Sequence, residues 1–248
     1  MFDVRLTNVC FAYKQQVLFE HLNLSLTAGS FTCLLGPSGV GKSSLLQLLA
    51  NLPPSSDAVI QKSIHTSDGL PLTGRIAWMA QYDNLLPWLS LIDNVLLGYR
   101  LRHCVTVELK QYARQLLSRV GFNDVDLVKK ITALSGGMRQ RVALVRTLLE
   151  DKPLVLMDEP FSALDSITRF SLQSLSCELL RSKTVLLITH DPLEALRLAD
   201  VIYILKGSPA QLIPCSVPLT PTPRYLNDQL LTEQARLWQQ LADEKVSP

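Results

Sequence analysis

The sequence of 248 residues has no apolar run of the roughly 18–20 residues that a membrane-crossing helix needs. It has no C-x-x-C pair either. Its five cysteines, Cys10, Cys33, Cys104, Cys177 and Cys215, are odd in number and widely scattered, which argues against a disulfide framework or a zinc site. No sign of charge dominates: 24 Lys and Arg against 22 Asp and Glu leave +2, so the basic excess of a dedicated nucleic-acid binder is absent and no nucleic-acid partner is expected. Internal repeats and low-complexity blocks are missing too. The start, MFDVRLTNVC, shows no basic segment followed by an apolar core, so no signal peptide is expected. The cysteines then read as small core residues of a chain in a reducing cytosol.

What is present is enough apolar material for a packed core. Hydrophobic residues make up 47% and charged residues 19%, which excludes disorder and suits one large domain or one and a half. The mean hydropathy of +0.18 is high for a chain without a crossing segment, and predicts contact with a hydrophobic partner.

Strand-like alternation runs from Val4 to Leu26, with Leu18, Leu22, Leu24 and Leu26 on one face. Phe31–Leu35 is a short apolar strand. Leu45–Ala50 reads as a helix stopped by Pro53–Pro54. Residues 55–74 are polar and poorly periodic, and Arg75–Ala80 reads as a strand. Val107–Val120 has helical spacing ending at Gly121. From Ser135 helices and wholly apolar strands alternate: a helix to Leu149, the strand Leu154–Met157, the helix Ser166–Leu180, the strand Thr184–Thr189, the short helix Leu193–Leu198 and the strand Val201–Leu205. Such alternation implies a parallel sheet covered on both faces, here joined to an antiparallel β layer and a helical insertion at about 85–135. Residues 207–223 hold five prolines and are expected to form an irregular crossing segment. Tyr225–Ala242 resumes helical spacing through Leu226, Leu230, Leu231, Leu237, Trp238 and Leu241, as a packed surface helix.

Two motifs carry chemistry. Gly36-Pro37-Ser38-Gly39-Val40-Gly41-Lys42-Ser43, followed by Ser44, fits G-x-x-x-x-G-K-[ST] between a strand and a helix. Glycines let the backbone wrap phosphates, successive N–H groups form an anion nest at a helix start, Lys42 neutralises phosphate charge, and the Ser43 hydroxyl suits Mg²⁺. Leu154–Met157 ends in adjacent carboxylates, Asp158 and Glu159. Asp158 can hold Mg²⁺, and Glu159 can act as general base toward an attacking water. Leu85, Leu86 and Trp88 in Tyr82-Asp-Asn-Leu-Leu-Pro-Trp88-Leu are unusually apolar for a connecting segment, and are either core or part of a partner-binding groove.

With Leu134-Ser135-Gly136-Gly137-Met-Arg-Gln-Arg141 added, the sequence resembles the ATP-binding cassette ATPases of ABC transporters over roughly residues 3–205. The resemblance implies a P-loop NTPase core with a parallel sheet, an antiparallel β layer and a helical signature subdomain. It divides the chain into a cassette at 1–206 and a proline-rich segment with a C-terminal helix at 207–248. It assigns Gln81 to a glutamine loop that helps hold Mg²⁺ and water, Asp165 of Ser162-Ala-Leu-Asp165 to the D-loop, His190 to the switch histidine and Tyr13 to adenine stacking. Ser135, Gly136 and Gly137 would face the γ-phosphate of ATP bound by a second copy of the chain.

"LLPW" after Gln81 and "DNV" at Asp93–Val95 resemble the ATPases of importers for nitrate, sulfonates, taurine and thiamine-precursor pyrimidines. The resemblance then implies separate integral membrane permease subunits, a periplasmic or extracellular solute-binding protein acting indirectly, and a peripheral place on the cytoplasmic face of the inner or plasma membrane. Two departures stand out: residues 51–74 lack the family's clear strand pattern, and GKST is here Gly41-Lys42-Ser43-Ser44. A soluble ABC-type ATPase without a membrane partner is the alternative. A nucleotide-binding module without turnover would be expected to lack Glu159 or His190.

Overall fold

The computed structural model describes residues 1–13, 16–52 and 58–242. Two long strands open the chain, β1 (Val4–Tyr13) and β2 (Gln16–Leu26), paired antiparallel with Val4 opposite Leu26. The expected inward row on β2 breaks at Leu18. Phe19 is buried and Leu18 only half-buried, because the pairing slips between Val9 and Phe11, and His21 takes a left-handed φ of 53°. A one-residue irregularity exchanges the two faces of a strand beyond it.

β3 (Phe31–Leu35) is buried at every position and leads through residues 36–41 into α1 (Lys42–Leu49). Pro53–Pro54, the expected stop of that helix, lie outside the described residues. β4 (Ala58–Thr66) overturns the expectation of an unpatterned segment, pairing antiparallel with β1 from Val4–Thr66 to Tyr13–Ala58. It is the outer strand of the sheet and none of its residues is fully buried, so selection for alternating apolar residues is weak.

β5 (Ile76–Met79) precedes the helical insertion of α2 (Leu91–Val95), α3 (Leu97–Leu101) and α4 (Val107–Arg119). Thr106 caps α4 by accepting from the Leu109 N–H at 3.1 Å, and Gly121 at φ 89° turns the chain after it. Then follow α5 (Gly136–Leu149), β6 (Leu154–Asp158), α6 (Ser166–Leu180), β7 (Thr184–Ile188), α7 (Pro192–Leu198) and β8 (Val201–Gly207).

The proline-rich stretch is not wholly irregular. It holds β9 (Ala210–Cys215), antiparallel to β8 and touching β2 where Ala210 meets Phe19. From there the chain is tied back by Arg224, which is 5% exposed and donates to the carbonyls of Pro218, Thr220, Leu196 and Ala199. The last helix, α8 (Asp228–Ala242), starts later than Tyr225, with Asn227 Oδ1 accepting from the Leu230 N–H at 2.8 Å. It buries Leu230 and Leu237 and half-buries Leu241, while Leu226, Leu231 and Trp238 face outward.

The strands form one sheet in the order β4-β1-β2-β9-β8-β3-β7-β6-β5. β8, β3, β7, β6 and β5 run parallel, and their alternate residues feed two cores. Cys33, Val155, Met157 and Leu187 face the helical side with α5 and α6. Leu34, Leu154, Leu156 and Leu186 join α1 and the inward residues of β1 and β2. Burial on both faces explains the unbroken apolar runs in the sequence. The order also sets the C-terminal ends of β3, β7 and β6 side by side, where a doubly covered sheet places its ligands.

Candidate functional site

Three loops meet at that edge. After β3, the chain turns through Gly36 to Gly41 before α1 starts at Lys42. A side chain at Gly36 would place its Cβ 2.3 Å from the Leu205 carbonyl oxygen, and one at Gly41 (φ 106°) would stand 2.8 Å from the Phe19 ring. Close backbone approach and a left-handed turn therefore both demand glycine. Pro37, Ser38 and Gly39 are exposed and Val40, Gly41 and Ser44 half-buried, so the loop is open to a ligand. Lys42 is 9% exposed, and its Nζ donates to the carbonyls of Gly36 at 2.7 Å and Pro37 at 2.8 Å. Burial lowers its pKa, while the charges of Glu159 and Asp158 pull it back up.

Asp158 ends β6 at 5% exposure. Burial pushes its carboxyl above the ordinary carboxylate range; the Ser43 hydroxyl bonded to it opposes the rise, the Glu159 charge adds to it, and Lys42 opposes it again. Glu159 is next, in a left-handed conformation at φ 48°, so the pair does not simply alternate along a strand. Its N–H donates to the Ile188 carbonyl at 3.0 Å, which locks the turn to β7. One carboxylate oxygen of Glu159 lies 3.2 Å from His190 Nδ1. His190 follows β7 and stays largely exposed; Asp191 behind it caps α7 by accepting from the Leu193 N–H at 2.9 Å. Glu159, Ser162, Thr189 and His190 border a crevice of about 20 Å³, room for about one water molecule.

Gln81 is exposed, shortly after β5. Tyr13 stands at the end of β1, 41% exposed. Ser135 caps α5, its Oγ accepting from the Met138 N–H at 3.3 Å, and Gly136 and Gly137 form the first turn. A Cβ on Gly137 would stand 3.1 Å from the Ala163 carbonyl oxygen, so this helix start is packed on the 162–165 loop. Asp165 caps α6 by accepting from the Thr168 N–H at 3.0 Å, and that bond holds its carboxyl below the ordinary range. The structure thus gathers residues 36–44, Asp158, Glu159 and His190 at one sheet edge, and sets Ser135–Gly137 against the 162–165 loop.

Sequence reasoning passed over several residues that shape this site. Gln140 reaches from α5 to the Glu159–Ala163 turn. Arg139 pairs with Asp83 at 3.0 Å, and Arg146 donates to the Asp83 and Asn84 carbonyls at 2.6 and 2.9 Å. Gln140 did carry a signal: it is a polar residue on the buried stripe that continues through Leu144 and Leu148.

Residues 19–162 match the family model described as ABC transporter. An ABC transporter ATP-binding protein of Haemophilus influenzae is 44% identical over 98% of this chain and 100% of its own length. The aliphatic sulfonates import ATP-binding protein SsuB 1 of Rhodococcus jostii is 41% identical over 78% of this chain and 75% of its own. The taurine import ATP-binding protein TauB of Pseudomonas aeruginosa is 36% identical over 93% of this chain and 89% of its own. Among solved structures, a dimeric bacterial ABC transporter cassette superposes with a TM-score of 0.73 at 29% identity, over 84% of this chain and 96% of that one. A dimeric post-hydrolysis state of that cassette, bound to ADP and phosphate, gives 0.72 at 28% identity over 90% of this chain and 100% of that one.

Proposed function

The chain belongs to the ABC transporter family as an ATP-binding cassette with the α/β P-loop NTPase fold, and from that premise we propose that it hydrolyses ATP to ADP and phosphate to power import of a small solute through separate membrane subunits. The observation that carries the chemistry is Glu159 placed 3.2 Å from His190, beside the buried Lys42 and Asp158 and the exposed Ser43. The N–H groups of residues 36–44 and the Lys42 ammonium bind the phosphates. Ser43, Asp158 and Gln81 offer a hydroxyl, a carboxylate and an amide oxygen, the hard-oxygen set that fits Mg²⁺. A buried carboxylate already bonded to the Ser43 hydroxyl supports that fit. Bound there, Mg²⁺ would neutralise charge on the phosphates.

Glu159 takes a proton from the attacking water at its carboxylate; the water oxygen bonds to the γ-phosphorus as the bond to the ADP oxygen breaks. His190 holds the carboxylate and the γ-phosphate in register. Tyr13 stacks on adenine. Ser135, Gly136 and Gly137, with Asp165 close behind, serve the ATP held by a second copy of the chain, a reading supported by the dimeric cassettes it resembles. Relatives named for aliphatic sulfonates and taurine support a small sulfonate as the transported class, with nitrate and pyrimidine precursors as the wider group. No helix among the described residues is long and apolar enough to cross a membrane, and a peripheral place beneath permease subunits suits the exposed Trp88.

Glu159→Gln tests the central role. It keeps shape and removes the base, so ATP should still bind while hydrolysis falls by at least about 10²-fold. Near-normal turnover in single-turnover assays would reject the assignment.

A further inference from the structure

We propose that Gln140 is the positioning residue for Glu159. The proposal rests on the reading of Glu159 as general base. Gln140 stands one turn into α5, 7% exposed. A buried amide is costly unless its donors and acceptor are met. Here they are met, and all by one turn. Nε2 donates to the Glu159 carbonyl at 3.0 Å and to Ser162 Oγ at 3.3 Å, and Oε1 accepts from the Ala163 N–H at 2.7 Å.

That turn needs holding. Glu159 is a non-glycine residue at φ 48°, a conformation that persists only where its surroundings over-determine it. Its N–H is fixed to β7 through the Ile188 carbonyl. Its carbonyl is held by the Ser162 N–H and hydroxyl, at 3.3 and 3.1 Å, and by Gln140. Ser162 belongs to the same turn and moves with it, whereas Gln140 comes from another element. Its grip therefore fixes the peptide after Glu159 against the helix, and with it the direction of the carboxylate toward His190. The tight packing of Gly137 on the Ala163 carbonyl leaves the helix start little room to slide over the turn. Displacement of Ser135–Gly137 thus reaches the Glu159 turn through the Gln140 amide together with this packing.

The test compares the full chain with Gln140→Leu, which keeps similar bulk and removes every hydrogen bond of the amide, and Gln140→Glu, which keeps the acceptor for Ala163 and removes the donors. ATP hydrolysis, ATP affinity and thermal unfolding are measured for each, alone and combined with Glu159→Gln. The expected result is a fall in kcat of about 10- to 100-fold, with KM and ATP affinity within about threefold, and no further fall when Gln140→Leu is added to Glu159→Gln, because the two act as a unit. If Gln140→Leu does not fold, Gln140→Glu carries the same expectation. A kcat within about twofold of the parent, where Glu159→Gln abolishes turnover, overturns the proposal. So does a fall in kcat that multiplies with that of Glu159→Gln or follows a loss of ATP affinity. Turnover surviving in Glu159→Gln alone overturns the base reading and this one with it.

Discussion

Glu194, four residues past His190, is 5% exposed and accepts from Gln173 Nε2 at 3.1 Å. Burial pushes its carboxyl from 4.5 up to about 7; the Thr189 hydrogen bond opposes this, the Asp191 charge adds to it, and Gln173 and Arg169 oppose it. An acid raised by folding stays protonated in the native state where the unfolded chain has already released its proton. Stability is therefore full below pH 4.5 and is lost as pH rises to about 7. At about 1.36 kcal/mol per pKa unit the loss is at most ~3 kcal/mol. Glu194→Gln keeps the shape of the neutral acid, so its unfolding free energy should not fall over this window. Denaturant titrations at about pH 5 and about pH 8 check it, and equal changes in both proteins would clear Glu194 as the titrating group. The sequence shows an acid in the first turn of a helix and nothing of its burial, which comes from α6 packing over it.

Among the elements, the stretch between β5 and α2 has no regular structure yet is firmly framed. Arg139 and Arg146 of α5 hold Asp83 and Asn84, and Asn94 bonds both the N–H and the carbonyl of Leu86, at 2.7 and 3.1 Å. The frame decides between the two readings of the apolar residues. Leu85 is 8% exposed and belongs to the core, Leu86 is half-buried, and Trp88 is 67% exposed. A rigidly presented tryptophan loses little entropy on docking. Trp88→Ser should leave folding within about 0.5 kcal/mol, and weaken co-purification with integral membrane subunits about tenfold or more. Undiminished assembly would remove Trp88 from the docking surface. At this scale α5, α6 and β7 were readable within a residue or so, since periodicity and caps are local. β4 was not, because an outer strand buries little. β9 was not, because Pro214 argues against a strand; the structure nonetheless seats Pro214 opposite Tyr203 of β8 and carries the pairing on to Cys215.

For the whole molecule, the notable point is that there are two helix starts fit for phosphate, at Lys42 and at Ser135, and one chain gathers only the first with Asp158 and Glu159. A two-fold dimer would use both, twice. This allows a complementation test with Lys42→Ala on one chain and Ser135→Arg on the other. Neither homodimer has an intact site, while the mixed dimer places both lesions in one site and leaves the other whole. It should occlude about one ATP per dimer. Occlusion by the Ser135→Arg chain as a monomer would refute shared sites.

What the sequence determined alone were the strings in which neighbouring residues act together: the glycine loop with Lys42, the apolar strand ending in Asp158 and Glu159, the capped helix at Ser135. Their chemistry depends on adjacency along the chain, so it survives without a fold. Only the tertiary structure decided which distant groups meet. Ser43 touches Asp158 and Glu159 faces His190 because the strand order β3-β7-β6 sets three loop exits side by side. Gln140 became a clamp on Glu159 because α5 packs across that edge, and a hydrogen bond between a helix and a turn 19 residues later leaves no period in the sequence.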